Sequence, residues 1–326
     1  MNTAYELATC PVCDSPDDDE VASREAISRE LEELWEFHIR RLRPGTPPRF
    51  LMDRVVFSQD PPIRLSRCRE CGSIYRNPRE RSRDLVDLYA GEALDQGVLK
   101  GLFEAQKRSY GRQARRLTRL VGHAGRALEI GSYVGAFQAA AKAKGWVVDG
   151  VDVNPAAVAF AREAGFRVFE GEITDAPMEP PYDAVVIWNC FDQLPNPREV
   201  VRAARDRLRS GGHIAIRVPS GEFYVRYRRR LEGPGRSFAR AALAHNNLLG
   251  FPYRTGYTAA SLARLLQEAG FESVRVVGDN LVPIADRWTL PWARLEEPVV
   301  KQILATIERR ERAPWLEVYA RAPSAG

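Results

Sequence analysis

Ala127-Leu128-Glu129-Ile130-Gly131-Ser132-Tyr133-Val134-Gly135 is an apolar run that ends in a carboxylate, followed by a glycine turn and then an alanine-rich stretch. Twenty-one residues after Gly131, a second apolar run through Val147-Val148-Asp149-Gly150-Val151 ends at Asp152. Strand, glycine turn, helix, strand and acid is the order of a βαβ unit that holds a nucleoside. Glycines let the backbone approach the ligand, and the second-strand carboxylate accepts hydrogen bonds from ribose hydroxyls. The dinucleotide fingerprint G-x-G-x-x-G is absent, so NAD is not the expected ligand.

What stands there instead is E-x-G-x-x-x-G, which resembles motif I of the class I S-adenosylmethionine-dependent methyltransferases. The resemblance extends over most of the chain after about residue 110. Val151-Asp152-Val153-Asn154-Pro155 resembles motif II, and Gly171-Glu172-Ile173-Thr174-Asp175 the loop that borders the adenine. Tyr182-Asp183-Ala184-Val185-Val186-Ile187-Trp188-Asn189 resembles strand four and its active-site end. Leu208-Arg209-Ser210-Gly211-Gly212-His213-Ile214-Ala215-Ile216 resembles the turn into strand five. The resemblance implies an α/β fold, a Rossmann-like seven-stranded sheet with helices on both faces. It also implies methyl transfer from S-adenosylmethionine by direct displacement. On this resemblance Glu129 orients the turn and the methionine end of the cofactor. Gly131 and Gly135, with Ser132 and Tyr133 between them, admit its close approach. Asp152 holds the ribose beside Val153, Glu172 or Ile173 lies near adenine, and Asn189 lies near the methyl. Two residues depart from the family pattern. Tyr133 replaces the usual middle glycine, and Gln193 in Gln193-Leu194-Pro195 stands where a histidine is common.

At 326 residues the chain has room for one large domain or two, and 44% hydrophobic with 28% charged residues is ordinary for a soluble globular protein. No run of about 18 apolar residues suggests a membrane span, and the N-terminus lacks a signal-peptide pattern, so the cytoplasm is the expected location. The net charge is +5. Arg226, Arg228, Arg229, Arg230, Arg236 and Arg240 crowd a stretch with only Glu222 and Glu232 opposing them. That patch suits RNA, an anionic lipid surface or a phosphorylated substrate, or is simply a solvated face.

Cys10-Pro11-Val12-Cys13 and Cys68-Arg69-Glu70-Cys71-Gly72 are two C-x-x-C pairs separated by 54 residues. Four thiolates in two such pairs suit one tetrahedral Zn²⁺, and four sulfur ligands leave no open position for chemistry, so a structural ion is expected. The segment from Cys68 to Pro78 resembles the small zinc-binding modules that precede many bacterial methyltransferases. Cys190 is the odd cysteine, read as a packed small residue.

The organisation expected is a zinc-binding module with a helical insert over 1–80, a helical linker over 81–125 and the methyltransferase domain over 126–326. Asn77-Pro78, Asn154-Pro155 and Asn196-Pro197 read as helix starts, with asparagine as the cap and proline in the first turn. The residues 19–43 look helical, and 50–66 look like strand or loop leading to the second cysteine pair. The last strand, 315–321, is expected from the resemblance to pair antiparallel at the sheet edge. Residues 219–257 form a long insert after strand five, leaving from a carboxyl end where ligands bind, and so read as a substrate lid.

His245, with Tyr224, Tyr253 and Tyr257 behind it, is the catalytic set this lid offers. The leading expectation is a small-molecule, glycoconjugate or natural-product acceptor. The alternatives are an RNA methyltransferase gripping RNA through the zinc module and the arginines, a lipid-modifying enzyme at a membrane surface, and a binding module without chemistry. After strand four the chain reads Asn189-Cys190-Phe191-Asp192, not the Asn/Asp-Pro-Pro-Tyr/Phe of nucleic-acid base N-methyltransferases.

Overall fold

The computed structural model describes residues 5–47, 62–91, 95–177, 179, 181–281, 288–308 and 310–324. The expected strand or loop over 50–66 therefore lies outside the described residues up to position 61.

The N-terminal part opens with β1 (Tyr5–Glu6), β2 (Asp18–Ser23) and α1 (Arg24–Ile39). Then come β3 (Arg64–Cys68), β4 (Ile74–Arg76), β5 (Arg79–Glu80), α2 (Ser82–Ala90) and α3 (Gln96–Val121). β2, β3 and β4 form an antiparallel sheet in which Asp18 faces Cys68 and Leu65 faces Arg76. The helix expected over 19–43 is shorter because Asp18–Ser23 pairs as a strand and Ser23 caps α1 through the amide of Ala26. Asn77 caps no helix. Its side chain accepts from the amide of Ala8 and donates to Asp18, tying the N-terminal segment down, and α2 begins only at Ser82.

The second part alternates β6 (Arg126–Ile130), α4 (Ala136–Lys142), β7 (Val147–Asp152), α5 (Pro155–Glu163) and β8 (Arg167–Glu170). β9 (Tyr182–Trp188), α6 (Pro197–Asp206) and β10 (Leu208–Pro219) follow. The remainder is α7 (Gly221–Arg228), α8 (Arg236–Ala244), β11 (Thr255–Gly256), α9 (Ala259–Glu268), β12 (Glu272–Asp279), α10 (Pro291–Ile307) and β13 (Trp315–Arg321). Seven strands form one sheet in the order β12-β13-β10-β9-β6-β7-β8. β10, β9, β6, β7 and β8 run parallel, and β13 is antiparallel to both β10 and β12. The last strand pairs antiparallel as expected, but it is interior and β12 takes the edge, a correction to the sequence expectation. The burial explains it: β13 is buried from Trp315 to Ala320, whereas β12 opens with exposed Glu272 and Ser273.

Both faces of this sheet are covered, as period-two alternation along β9 requires. Ala184, Val186 and Trp188 pack with α3 and α4, through Leu117, Phe137 and Ala141. Val185 and Ile187 pack on the other side with Val200 and Val201 of α6 and Leu262 and Leu266 of α9. A further apolar cluster joins the two parts of the chain. Ile27, Leu34 and Phe37 of α1 meet Phe223, Tyr224 and Tyr227 of α7, Ala242 and Leu243 of α8, and Leu304 of α10. β11, from the insert, completes the N-terminal sheet by pairing Thr255 with Tyr75. No helix among the described residues is long and apolar enough to cross a membrane.

Candidate active site

β6 ends at Ile130, and the next residues turn sharply over β7. The amides of Gly131 and Ser132 both donate to the carbonyl of Val151, at 2.8 and 3.1 Å. Gly131 takes φ 70°, and a Cβ on it would come within 2.3 Å of the Cys190 sulfur, so glycine is required there. Tyr133 holds φ 45°, in the left-handed region that a glycine would take more easily, and its amide donates to Asp152 Oδ2 at 2.7 Å. The same carboxylate accepts from the amide of Asn154 at 2.9 Å. Asn154 then caps α5 through the amide of Ala157. Asp152 is therefore fixed by two backbone donors at the carboxyl end of β7.

At the end of β9, Asn189 also adopts a left-handed backbone, φ 59°. Its side-chain amide donates to the Tyr110 hydroxyl of α3 at 3.0 Å, and its side-chain oxygen accepts from Arg217 of β10. Arg217 in turn pairs with Asp279 at 2.8 Å. Asn189 is thus clamped from a helix and from the neighbouring strand.

These residues converge on a cleft of about 310 Å³. Of the expected cofactor-binding residues, Glu129, Gly131, Ser132, Tyr133, Asp152, Val153, Glu172, Ile173 and Asn189 line it. Gly135 does not. It precedes α4 at φ 73°, and a Cβ there would meet Phe166 at 2.8 Å, so its glycine serves helix packing. Glu129 is buried, and one of its carboxylate oxygens finds no hydrogen-bond partner among the described residues. Burial, and next the Asp152 charge, raise its pKa well above the carboxylate range. Burial raises the Asp152 pKa too, against its amide donors. Glu172 is raised by burial and by Asp175 and Glu199. Carboxylates crowded in this way lower their energy by meeting a cation or hydrogen-bond donors on a ligand. An orphaned buried oxygen, a fixed second-strand carboxylate and a tight turn opened by Gly131 fit a cationic nucleoside such as S-adenosylmethionine.

His245, Tyr224 and Tyr257 of the expected catalytic set lie elsewhere. His245 follows α8, is buried against Phe37 with ring centroids 4.9 Å apart, and its Nε2 is 3.3 Å from Glu296. Burial works to raise the Glu296 pKa, but hydrogen bonds from His245 and Arg41 prevail and hold it at about 2. Tyr224 is buried and donates to Glu30 at 2.9 Å. Tyr257 is buried against Phe191, its hydroxyl 3.5 Å from that residue's carbonyl. None of the three lines the cleft, because each side chain is used in packing the insert or the loop beneath it. The aromatic groups that do line it are Tyr89 of α2, Tyr110 of α3, Tyr133, Trp188 and Tyr253. The rings of Tyr89 and Tyr253 stack at 6.1 Å. Tyr89 sits on a helix with no motif to announce it. Tyr253, expected from the sequence beside His245, does line the cleft.

The four paired cysteines come together: every pair of their Sγ atoms lies within 4.8 Å. The Cys10–Cys71 and Cys13–Cys68 sulfurs are each 3.5 Å apart.

A family model described as a methyltransferase domain matches residues 103–276. The chain belongs to this family. The methyltransferase is similar to a SAM-dependent methyltransferase from Thermotoga maritima, described as a possible histamine N-methyltransferase. Identity is 16% and the TM-score 0.45, over 68% of this chain and 93% of that one. It is similar also to a SAM-dependent methyltransferase from Archaeoglobus fulgidus, at 18% identity and TM-score 0.45, over 70% of this chain and 100% of the other. No curated protein matches the chain.

Proposed function

We propose that this methyltransferase takes its methyl group from S-adenosylmethionine and gives it to a small-molecule or natural-product acceptor. The observation that carries the reading is the cleft itself. It opens at the carboxyl ends of β6, β7 and β9, where open parallel sheets bind ligands, and it presents Glu129, Asp152, Glu172 and Glu199 with five aromatic rings. Bound there, the cofactor supplies a sulfonium-activated methyl. Asp152 accepts from the ribose hydroxyls, Gly131, Ser132 and Tyr133 form the floor beneath the methionine end, and Glu129 meets its amino group. Glu172 and Ile173 border the adenine, and Asn189, clamped by Tyr110 and Arg217, holds the strand-four end. Direct displacement depends on alignment above all, and these clamps supply it.

The arginine patch gives the RNA alternative little support. Arg226 pairs with Glu308 at 2.7 Å, Arg228 with Glu30 at 2.6 Å and Arg236 with Glu33 at 2.5 Å, all away from the cleft. Incubation with methyl-labelled S-adenosylmethionine and extract fractions tests the reading. Label is expected in a nuclease-resistant small-molecule fraction, and label confined to nuclease-sensitive polymer would overturn it.

We also propose that Cys10, Cys13, Cys68 and Cys71 hold one Zn²⁺. Tetrahedral zinc with Zn–S bonds of about 2.3 Å places its sulfurs about 3.8 Å apart, close to the spacing found here. Elemental analysis is expected to return about one equivalent per chain.

A further inference from the structure

The geometry points to a second role for the four-cysteine knuckle: it is a positioning element whose metal occupancy sets one wall of the methyl-transfer cleft. This inference rests on the donor and zinc readings above.

The wall is the loop from β9 into α6 with the first turn of that helix. Cys190, Gln193, Leu194, Pro195, Asn196 and Glu199 line the cleft from one side. Pro195, Asn196 and Glu199 also line a second cavity, of about 410 Å³, whose other side is Thr9, Cys10, Pro11 and Asp14. The wall is therefore a single layer of chain, with the donor cleft on one side and the cysteine knuckle on the other.

Three contacts tie the layers together. Asp14, next after Cys13 and at φ 59°, forms an ion pair with Arg198 in the first turn of α6. Cys10, Val12 and Cys68 pack in one apolar cluster with Phe191, Val200 and Tyr257, and the rings of Phe191 and Tyr257 stack at 5.0 Å. The hydroxyl of Thr258, the cap of α9, lies 3.5 Å from the carbonyl of Cys71. With zinc bound, residues 10–13 and 68–71 are held to one another, and the wall has a fixed backing. Without it, the two cysteine pairs are joined by the pairing of Asp18 with Cys68, the bond from the Arg69 amide to the Asp17 carbonyl and the Cys10–Ser73 contact, and their ties to the wall are apolar packing, the long Thr258–Cys71 bond and one half-exposed ion pair, a kind of pair that is weak.

Arg198 is accordingly a positioning residue. Cleft occupancy and zinc occupancy must then be coupled, and coupling between two bound species is reciprocal. S-adenosylhomocysteine at saturation is expected to raise the zinc affinity of the full chain by about fivefold or more, as read by chelator competition. The zinc-loaded chain is expected to bind S-adenosylhomocysteine tighter than the zinc-depleted chain by the same factor in calorimetry. Arg198→Gln leaves every cysteine in place, so it is expected to keep full zinc content while reducing the coupling. Arg198→Lys, which keeps the charge, is expected to restore much of it. A zinc affinity unchanged by S-adenosylhomocysteine, in a chain that binds it normally, overturns the inference. So does an Arg198→Gln variant with coupling intact. A zinc-loaded chain that fails to bind S-adenosylhomocysteine refutes the donor reading and this inference with it, and calorimetry shows that before any chelator is added.

Discussion

Asp152 is the residue on which donor binding depends most directly, because two backbone amides hold its carboxylate at the mouth of the cleft. Asp152→Ala removes the acceptor for the ribose and releases the amides of Tyr133 and Asn154. Hydrogen bonds to charged groups contribute about 1.5–3 kcal/mol, so affinity for S-adenosylhomocysteine should fall roughly 10- to 100-fold in calorimetry. Unchanged affinity would remove Asp152 from the donor site. A second carboxylate, Asp192, lies behind the cleft wall, 1% exposed, and burial pushes its pKa to about 7. In the unfolded chain an aspartate titrates near 3.9. Between about pH 4 and 7 the folded protein therefore holds a proton that the unfolded chain has lost, and stability falls as pH rises through that window. The penalty is absent below about pH 4 and complete above about pH 7. Asp192→Asn removes it, while the bond from the Thr255 amide to the residue-192 carbonyl is untouched. The variant should match the parent in melting temperature at pH 4 and exceed it at pH 8, and a gap that is constant with pH would show that Asp192 does not titrate there.

At the scale of elements, the sheet was largely legible because each strand carries its own signal: apolar runs ending in Glu129 and Asp152, and Asn154 capping α5 before Pro155. What local pattern cannot give is which neighbour an element meets. β13 reads as a strand from its apolar residues, but its place between β10 and β12 is set by long-range pairing such as Ile216 with Val318. Asn77-Pro78 has the same form as Asn154-Pro155, yet its asparagine bonds to residues far away in sequence, and no nearby helix needs it as a cap. α3 begins instead at an aspartate cap. Asp95 accepts from the amides of Gly97 and Val98 at 2.8 and 3.1 Å. Asp95→Ala should destabilise the protein by about 1 kcal/mol in urea unfolding. Because α3 also supplies Gln106 and Tyr110 to the cleft, fraying of its first turn should raise KM more than it lowers kcat.

Across the whole molecule, the insert after β10 shows why His245, Tyr224 and Tyr257 fall outside the cleft. Phe223, Tyr224, Tyr227 and interleaved arginines read equally well as a lid over substrate or as a packing surface, and only the partner decides between them. That partner is α1, far off in sequence, and it draws Tyr224 and His245 into a core shared by the two parts of the chain. Glu30 is the polar centre of this junction. It is 5% exposed, pairs with Arg228 at 2.6 Å, and accepts from the Tyr224 hydroxyl at 2.9 Å and the Gly250 amide at 3.2 Å. Burial nonetheless raises its pKa, with Arg228 and Tyr224 acting against that rise, so the pair itself adds little net stability. Removing one member is different, because it strands the other charge in a buried site. Glu30→Ala leaves Arg228, Tyr224 and the Gly250 amide without their shared acceptor and should cost about 3–5 kcal/mol in urea unfolding. Since the residue ties α1 to the insert and touches no part of the cleft, the loss should appear first as protease cleavage between the N-terminal part and the seven-stranded domain, under conditions where S-adenosylhomocysteine still binds. A variant as stable and as protease-resistant as the parent would mean that the apolar cluster alone holds the two parts together.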